Sequence, residues 1–146
     1  MRRTKRRKKG PVQAKKVSYD GINFASGLER YMYMALKKAK IKAEYEGETF
    51  VLQEGFDFTS SAYERQANGK GEFKDRGRKK ILSIKYTPDF IGKNFIIECK
   101  GRANESFPLR YKMFKKWIQE NKPNTTLYKP QNQSECDKVI EEILKK

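Results

Sequence analysis

The sequence predicts a single α/β domain. Helical and strand-like apolar patterns follow one another in the order helix, strand, insertion, hairpin, helix, strand, helix. At 146 residues the chain has the length of one domain, and a domain of this size buries roughly 68–70% of the surface that its unfolded chain exposes. We therefore expect one core, formed by residues 21 to 146, with a flexible insertion at about 53 to 79.

Three helices are expected from apolar residues that recur at helical spacing. The first runs from about Ser26 to Lys40, the second opens at Phe107-Pro108, and Ser134 caps the last. The predicted buried stripes are Leu28, Met32, Ala35 and Ala39 in the first helix, Tyr111, Phe114, Trp117 and Ile118 in the second, and Val139, Ile140, Ile143 and Leu144 in the third.

Strands are expected at residues 43 to 52, 81 to 89 and 125 to 129. The insertion between the first two is rich in Gly, Ser and Asn, and Asn68-Gly69-Lys70-Gly71 is a turn signal. We interpret the insertion as a long mobile segment that could form a β-arm. Its end is basic, with Lys74, Arg76, Arg78, Lys79 and Lys80. The sequence leaves open whether these side chains contact phosphates or form an ordinary solvated loop.

A β-hairpin is predicted between residues 87 and 100. A two-residue turn at Gly92-Lys93 would use the positive φ that glycine adopts, with Ile91 and Asn94 on either side of the turn. Asp89 would then lie opposite Ile96 and share one face with Glu98 and Lys100, because side chains alternate along a strand. Asp89 and Glu98 would be diagonal neighbours with Cα atoms roughly 7–8 Å apart.

Two carboxylates at this separation can hold a divalent cation, with the Lys100 ammonium beside it. The alternative is an exposed hairpin face with ordinary charges. Asp89 and Glu98 lie within apolar runs, however, and charges in such runs need a partner or a metal. The spacing alone leaves both interpretations open.

The composition favours a polyanionic partner. The net charge is +16, with 34 Lys and Arg against 18 acidic residues, which suits nucleic acid first and an anionic membrane second. No apolar run approaches the length of a membrane span, and no secretory signal is recognisable. Two cysteines and no histidine exclude the usual zinc sites and His-based catalysis, and Cys99 should face the core as a reduced thiol. We expect a reducing cytoplasm.

Residues 1 to 20 are expected to form a disordered basic arm, because residues 1 to 16 hold nine Lys or Arg and little that is apolar. An arm that binds DNA phosphates is one interpretation, and a nuclear-localisation signal or a solubilising tail would have the same composition. The candidate DNA-binding residues of the arm are Arg2, Arg3, Lys5, Arg6, Arg7, Lys8 and Lys9.

Glu29 has two possible roles. Ser26-Gly27-Leu28-Glu29 has the pattern of a capping box, in which the Glu29 side chain would reach back to the Ser26 amide. Glu29 also lies near the apolar stripe of the first helix, since Met32 and Leu36 follow at three and seven residues. It could therefore face the sheet and a metal.

Several segments together resemble a known family. Pro88-Asp89 followed by Glu98-Cys99-Lys100 is similar to the PD-(D/E)XK motif of restriction-endonuclease-like nucleases. With Ser26-Gly27-Leu28-Glu29 and the segment 41 to 46, these motifs resemble the endonuclease I type of phage Holliday-junction resolvase. The resemblance covers roughly residues 22 to 130 and is weak between 53 and 80.

This resemblance implies a mixed β-sheet flanked by helices, and a catalytic set of Glu29, Asp89, Glu98 and Lys100. Asp89 and Glu98, with a neighbouring backbone carbonyl, would bind one or two Mg²⁺ ions, for which Mn²⁺ would substitute, and Glu29 would complete the second site. Lys100 would position the attacking water or neutralise charge in the transition state. A bacteriophage origin, and hence the cytoplasm of a host bacterium, would follow.

The function implied is Mg²⁺-dependent endonuclease cleavage of branched DNA, as a Holliday-junction resolvase in DNA recombination. Two symmetric cuts would then require a homodimer. The second helix is a plausible wall of the DNA groove, with candidate DNA-binding residues Arg102, Arg110, Lys112, Lys115 and Lys116. A nuclease of restriction or homing type acting on linear duplex, and a basic nucleic-acid-binding protein without catalysis, are the alternatives.

Overall fold

The computed structural model describes residues 16–101 and 106–146, which form a mixed α/β fold. Its helices are α1 (Gly27–Lys38), α2 (Ser106–Asn121) and α3 (Gln133–Leu144). Its strands are β1 (Val17–Tyr19), β2 (Ile22–Phe24), β3 (Glu44–Tyr45), β4 (Phe50–Gln53), β5 (Phe56–Phe58), β6 (Tyr63–Glu64), β7 (Lys74–Asp75), β8 (Lys79–Ile81), β9 (Ile84–Tyr86), β10 (Phe90–Ile91), β11 (Phe95–Ile97) and β12 (Thr126–Tyr128). The α/β class expected from the sequence is confirmed.

The central sheet has the strand order β12-β11-β10-β3. β10 pairs antiparallel with both β11 and β3, whereas β11 and β12 are parallel, so the sheet is mixed. The chain passes from β11 to β12 through α2, as a parallel pair requires a crossover. Residues 106 to 128 therefore return the chain to the sheet directly beside β11.

Side chains of β11 alternate between two apolar clusters. Phe95 and Ile97 belong to the first cluster and Ile96 to the second. The first cluster includes residues of α1 and α3, among them Met32, Leu36, Cys136 and Val139. The second includes Tyr111, Phe114 and Ile118 of α2. Helices therefore pack on both faces of the sheet, and Cys99 is buried in the first cluster as predicted.

Three predicted elements need correction. Residues 81 to 89 do not form one strand: β8 ends at Ile81, β9 covers Ile84–Tyr86, and the two belong to different sheets. Residues 43 to 52 do not form one strand: β3 and β4 belong to different sheets, because the chain turns at Glu46, which has a φ of 50°. Asn132, and not Ser134, caps α3, since its side chain accepts a hydrogen bond from the Glu135 N–H at 2.9 Å. Leu144 was expected in the buried stripe of α3 but is 62% exposed.

The N-terminal boundary also differs from the expected one. Residues 17 to 24 form the β1–β2 hairpin, with Tyr19 paired to Ile22. Asp20 and Gly21 have φ values of 53° and 73°, as a two-residue type I′ turn requires. Residues 17 to 19 are thus part of the fold, and the assignment of residues 1 to 20 to a disordered arm extended too far. Residues 1 to 15, on which the rest of that prediction depends, lie outside the described residues.

The insertion forms a two-stranded β-arm. Three antiparallel pairs, β4–β9, β5–β8 and β6–β7, follow one another along the same two segments of chain. Within residues 16–101 and 106–146, no helix is long and apolar enough to span a membrane.

Candidate active site

The β10–β11 hairpin positions Asp89 and Glu98, but not in the predicted register. Ile91 pairs with Ile96, and the Gly92 N–H donates to the Phe95 carbonyl at 2.9 Å, so the turn is at Lys93-Asn94. The turn at Gly92-Lys93 and the pairing of Asp89 with Ile96 were therefore wrong. Moving the turn by one residue shifts the pairing by two residues, which preserves the face that each side chain occupies. Extended by one residue pair, the observed register places Asp89 directly opposite Glu98.

Gly92 is required for a different reason than the one predicted. Its φ is not in the positive region, in contrast to Gly21, Gly69 and Gly71. A Cβ at residue 92 would instead lie 2.1 Å from the Phe95 ring, which packs across the glycine. The glycine therefore permits the Phe95 ring to pack over the hairpin backbone.

Asp89 and Glu98 are buried and held by backbone hydrogen bonds. Asp89 is 7% exposed and Glu98 is 8% exposed. Asp89 Oδ2 accepts a hydrogen bond from the Cys99 N–H at 2.8 Å, and Glu98 Oε2 accepts one from the Asp89 N–H at 3.3 Å. Each of these hydrogen bonds uses only one oxygen of its carboxylate. The hairpin thus fixes two carboxyl groups side by side.

Ionising both Asp89 and Glu98 is unfavourable in the folded protein. Burial raises the pKa of Asp89, and the negative charges of Glu98 and Glu29 raise it further. Burial likewise raises the pKa of Glu98, although the Tyr86 hydroxyl and the Lys100 ammonium oppose that rise. Such a site favours either a bound proton or a cation.

Glu29 lies at the start of α1, close to the Asp89–Glu98 pair. It is 7% exposed at the start of α1, where its N–H donates to Ser26 Oγ at 3.2 Å. Its Oε2 accepts hydrogen bonds from the Ala25 N–H at 3.0 Å and the Tyr45 hydroxyl at 2.7 Å. The side chain therefore reaches back to residue 25, one residue before the predicted Ser26 amide. It also lies close enough to raise the pKa of both Asp89 and Glu98.

Lys100 lies beside Glu98 at a cavity of about 290 Å³. Lys85, Tyr86, Thr87, Glu98, Lys100, Ser106, Phe107 and Arg110 line this cavity. Lys100 Nζ is also 4.7 Å from the centroid of the Phe107 ring. The cavity therefore combines one carboxylate with three cationic side chains, which suits an anionic group such as a phosphate.

The other predicted DNA-binding residues are divided between the cavity and the outer surface. Arg110 lines the cavity, while Lys112, Lys115 and Lys116 are exposed along α2. Lys115 Nζ lies over the Tyr111 ring, and Lys116 is 3.9 Å from Glu120 in an ion pair. Arg102 and the seven arm residues from Arg2 to Lys9 lie outside the described residues.

Several residues near the site were missed in the sequence. Tyr86 is buried beside Glu98, and its hydroxyl, although near enough to lower the pKa of Glu98, makes no hydrogen bond of normal geometry within the described part of the chain. Glu46 donates its N–H to the Asp89 carbonyl at 2.8 Å and adds negative charge near Asp89. Lys129 lies over the stacked rings of Phe107 and Tyr111. Glu46 belongs to the segment 41 to 46, which contributes to the family resemblance, but nothing in the sequence places it beside Asp89.

The described residues contain no group of three or more Asp, Glu, Cys or His side chains that converges as a ready-made metal site. Mg²⁺ is commonly bound by one or two carboxylates together with water and substrate phosphates, and it does not need a dedicated protein cage. The buried Asp89–Glu98 pair, with its raised pKa values, fits that kind of donor set.

The fold and site thus define a mixed α/β protein with a buried carboxylate pair beside a basic cavity. The chain belongs to a family described as protein of unknown function (DUF1064), whose model matches residues 8–131. The chain matches no curated protein and no solved structure.

Proposed function

We propose that this protein is a metal-dependent endodeoxyribonuclease of the restriction-endonuclease-like class that cleaves branched DNA. The observation that carries the proposal is the pair of buried carboxylates, Asp89 and Glu98, each held by a backbone N–H, next to Lys100 at the edge of a basic cavity. The mixed sheet with helices on both faces is consistent with this fold class.

Asp89 and Glu98 would hold the metal ion, with Glu29 adjusting a second position. Mg²⁺, or Mn²⁺ in its place, would supply polarisation of the scissile phosphate and a lowered pKa for an attacking water. Burial makes the paired negative charges costly in the protein alone, so a divalent cation is a favourable partner for them. The hydrogen bonds from the Cys99 and Asp89 backbone groups keep both carboxylates oriented before substrate binds.

The basic side chains of the cavity would bind and orient the phosphate. Arg110 and Lys85 lie on its wall with Glu98, so a phosphodiester there would be adjacent to the carboxylate pair. The guanidinium of Arg110 can bind two phosphate oxygens together, whereas Lys100 offers a movable point charge. Lys100 would neutralise charge that develops as the water oxygen bonds to phosphorus and the opposite P–O bond breaks.

Cleavage of a four-way junction requires two symmetric cuts, and one chain offers one such site. A homodimer is therefore part of the proposal. The +16 net charge supports DNA as the substrate, because neutralising phosphates supplies much of the affinity in DNA binding.

The two alternatives are separated by one assay. Purified protein is incubated with Mg²⁺ and a four-way junction, a nicked duplex or a plain duplex of matched sequence. The proposal predicts cuts in the junction at rates at least about tenfold above those for the plain duplex. Equal cleavage of the plain duplex would favour a nuclease of restriction or homing type. Binding without cleavage of any substrate in Mg²⁺ or Mn²⁺ would favour a non-catalytic DNA-binding protein.

A further inference from the structure

The β-arm between Gln53 and Ile84 is held in a defined shape by specific contacts. Asp75 Oδ1 accepts hydrogen bonds from the Ala62 N–H at 3.0 Å and the Gly77 N–H at 2.9 Å. Gly77 lets the two segments approach closely, since a Cβ there would lie 2.0 Å from the Ser60 carbonyl oxygen. The arm is therefore a formed structure and not a simple loop between β4 and β9.

The outer part of the arm exposes large apolar side chains. Tyr63 in β6 is 66% exposed, Phe73 just before β7 is 69% exposed, and their ring centroids are 6.3 Å apart. Leu82, nearer the base, is 78% exposed. Clustered exposed apolar residues on a projecting element indicate contact with a partner.

The charge of the arm indicates what kind of partner this is. The returning segment from Lys74 to Lys85 carries six Lys or Arg and a single acidic residue, Asp75. Asp75 is already engaged by backbone N–H groups and by Arg78. Lys74 and Lys80 are exposed and form no ion pair within the described residues. The outgoing segment, in contrast, also carries Glu54, Asp57, Glu64 and Glu72, so the basic charge of the arm lies on its returning strand. A ribbon with one basic strand and aromatic residues at its outer end suits DNA.

The arm also begins at the candidate site. Lys85 and Tyr86, on the returning strand β9, line the same cavity as Glu98 and Lys100. Strands in a ribbon lie about 4.8 Å apart, and the major groove of B-DNA, about 12 Å wide, admits a two-stranded ribbon. At about 3.3 Å per residue, Tyr63 can lie up to roughly 30 Å from Gln53, which approaches one turn of duplex.

We propose that the β-arm lies in the major groove of a DNA duplex next to the phosphate bound at the cavity. This inference rests on the proposed function for its choice of DNA as the partner. Lys74, Lys80 and Arg65 contact phosphates or base edges, and the Tyr63 and Phe73 rings make apolar contacts such as those with thymine methyl groups. The arm thereby sets which duplex segment beside a branch point the protein holds.

The test compares a triple variant, Arg65→Ala with Lys74→Ala and Lys80→Ala, with a matched control, Lys38→Ala with Lys93→Ala and Lys138→Ala. The control removes three exposed charges that lie outside the arm and the cavity. Binding to duplex and junction DNA is titrated against salt in EDTA, so that no cleavage occurs. The arm variant should show a slope of log K against log[salt] shallower by roughly 0.9 for every phosphate that the protein no longer neutralises. The control should keep the wild-type slope, and an equal change of slope in both variants overturns the inference.

Dimethyl sulfate footprinting tests the groove, because it modifies guanine N7 in the major groove and adenine N3 in the minor groove. Wild-type protein should protect guanine N7 over several base pairs, and Tyr63→Ser with Phe73→Ser should abolish that protection with unchanged circular dichroism. Protection confined to adenine N3 would contradict the inference. If the Tyr63 and Phe73 substitutions convert a dimer to a monomer and leave the salt slope of DNA binding unchanged, the arm acts in self-association instead.

The same titrations distinguish failure of this inference from failure of the proposed function. A wild-type protein that binds no DNA would overturn both. If wild-type protein binds DNA, and the arm variants have the same salt slope and the same footprint as wild type, only this inference is overturned.

Discussion

Asp89 and Glu98 lie opposite each other across the β10–β11 hairpin, and the N–H of Asp89 donates to Glu98 Oε2 at 3.3 Å. Both carboxyl groups are buried, and their negative charges repel each other when both groups are ionised. A folded protein keeps such a pair at a cost in stability, which a cation would offset.

Without metal, the stability of the protein should fall as pH rises from about 4. Burial raises the pKa of both Asp89 and Glu98 above their ordinary unfolded values of about 3.9 and 4.3. The folded state then binds more protons than the unfolded state, so this contribution is complete below about pH 4 and is lost as pH rises through the raised pKa values. Melting curves in EDTA between about pH 4 and 9 measure it.

Asp89→Asn should remove much of this pH dependence and raise the melting temperature at about pH 8 in EDTA, on the order of 5 °C. The difference between wild type and variant separates the effect of the pair from that of other acids, such as exposed Asp20 and half-buried Asp75, whose pKa values are lowered. Glu141→Gln, at an exposed position on α3, is the control. A wild-type protein that is more stable than Asp89→Asn under these conditions would contradict the cost assigned to the pair.

Glu29→Gln should cost far more activity than stability. The amide oxygen of Gln can still accept the hydrogen bonds from Ala25 and Tyr45, so the unfolding free energy should change by no more than about 1 kcal/mol. Cleavage should fall at least about a hundredfold, because the negative charge near Asp89 and Glu98 is removed. Ser26→Ala is the matched control. It removes the N-cap of α1, which should lower the unfolding free energy by about 1 kcal/mol, and the variant should cleave DNA normally. An active but destabilised Glu29→Gln protein would show that Glu29 stabilises the start of α1 and takes no part in cleavage.

Gly92→Ala should destabilise the protein by about 1–3 kcal/mol, since the new methyl group would collide with the Phe95 ring. Gly27→Ala is the control, because a Cβ there meets nothing within 4 Å. Urea unfolding of both variants measures the difference. Equal stability of the two variants would show that the Phe95 ring moves aside freely.

Deletion of residues 1 to 15 should weaken binding to every DNA substrate to a similar degree, because phosphate contacts carry no sequence information. The salt slope should become shallower by roughly 0.9 for every duplex phosphate that this segment neutralises in the full-length protein. The truncated protein should still cut at saturating concentration, since Asp89, Glu98 and Lys100 remain. Equal slopes for both proteins would instead favour a targeting or partner-binding role for this segment.

The sequence predicted which residues lie near one another in the β10–β11 hairpin better than it predicted the pairing of the strands. Asp89, Glu98 and Lys100 were expected together because they belong to one hairpin, where the contacts are local. The turn was misplaced because Gly92 was expected to adopt a positive φ. The glycine is instead needed because a side chain there would collide with the Phe95 ring. A shift of two residues preserves the face that each side chain occupies, so this error does not alter the expected face.

Other errors came from contacts between distant segments, or from signals that were present and not used. The pairing of β10 with β3 joins Phe90 to Tyr45, which lie far apart in the chain, and no local pattern reveals such a pair. The Asp20-Gly21 turn of the β1–β2 hairpin is a strong hairpin signal in the sequence, but the predicted boundary of the basic arm at residue 20 divided it. Glu46 and Tyr86 acquire their roles only through the positions of Asp89 and Glu98 in the folded sheet.

The most direct test of the central claim is cleavage of a four-way junction by purified Asp89→Asn and Glu98→Gln proteins in Mg²⁺, with Glu141→Gln as control. We predict that both site variants reduce turnover by at least about a thousandfold while their junction affinity in EDTA stays within about threefold of wild type, because Lys and Arg provide the binding. The control should cleave at the wild-type rate. Mg²⁺-dependent turnover retained by Asp89→Asn would contradict the assignment of the carboxylate pair as the catalytic centre.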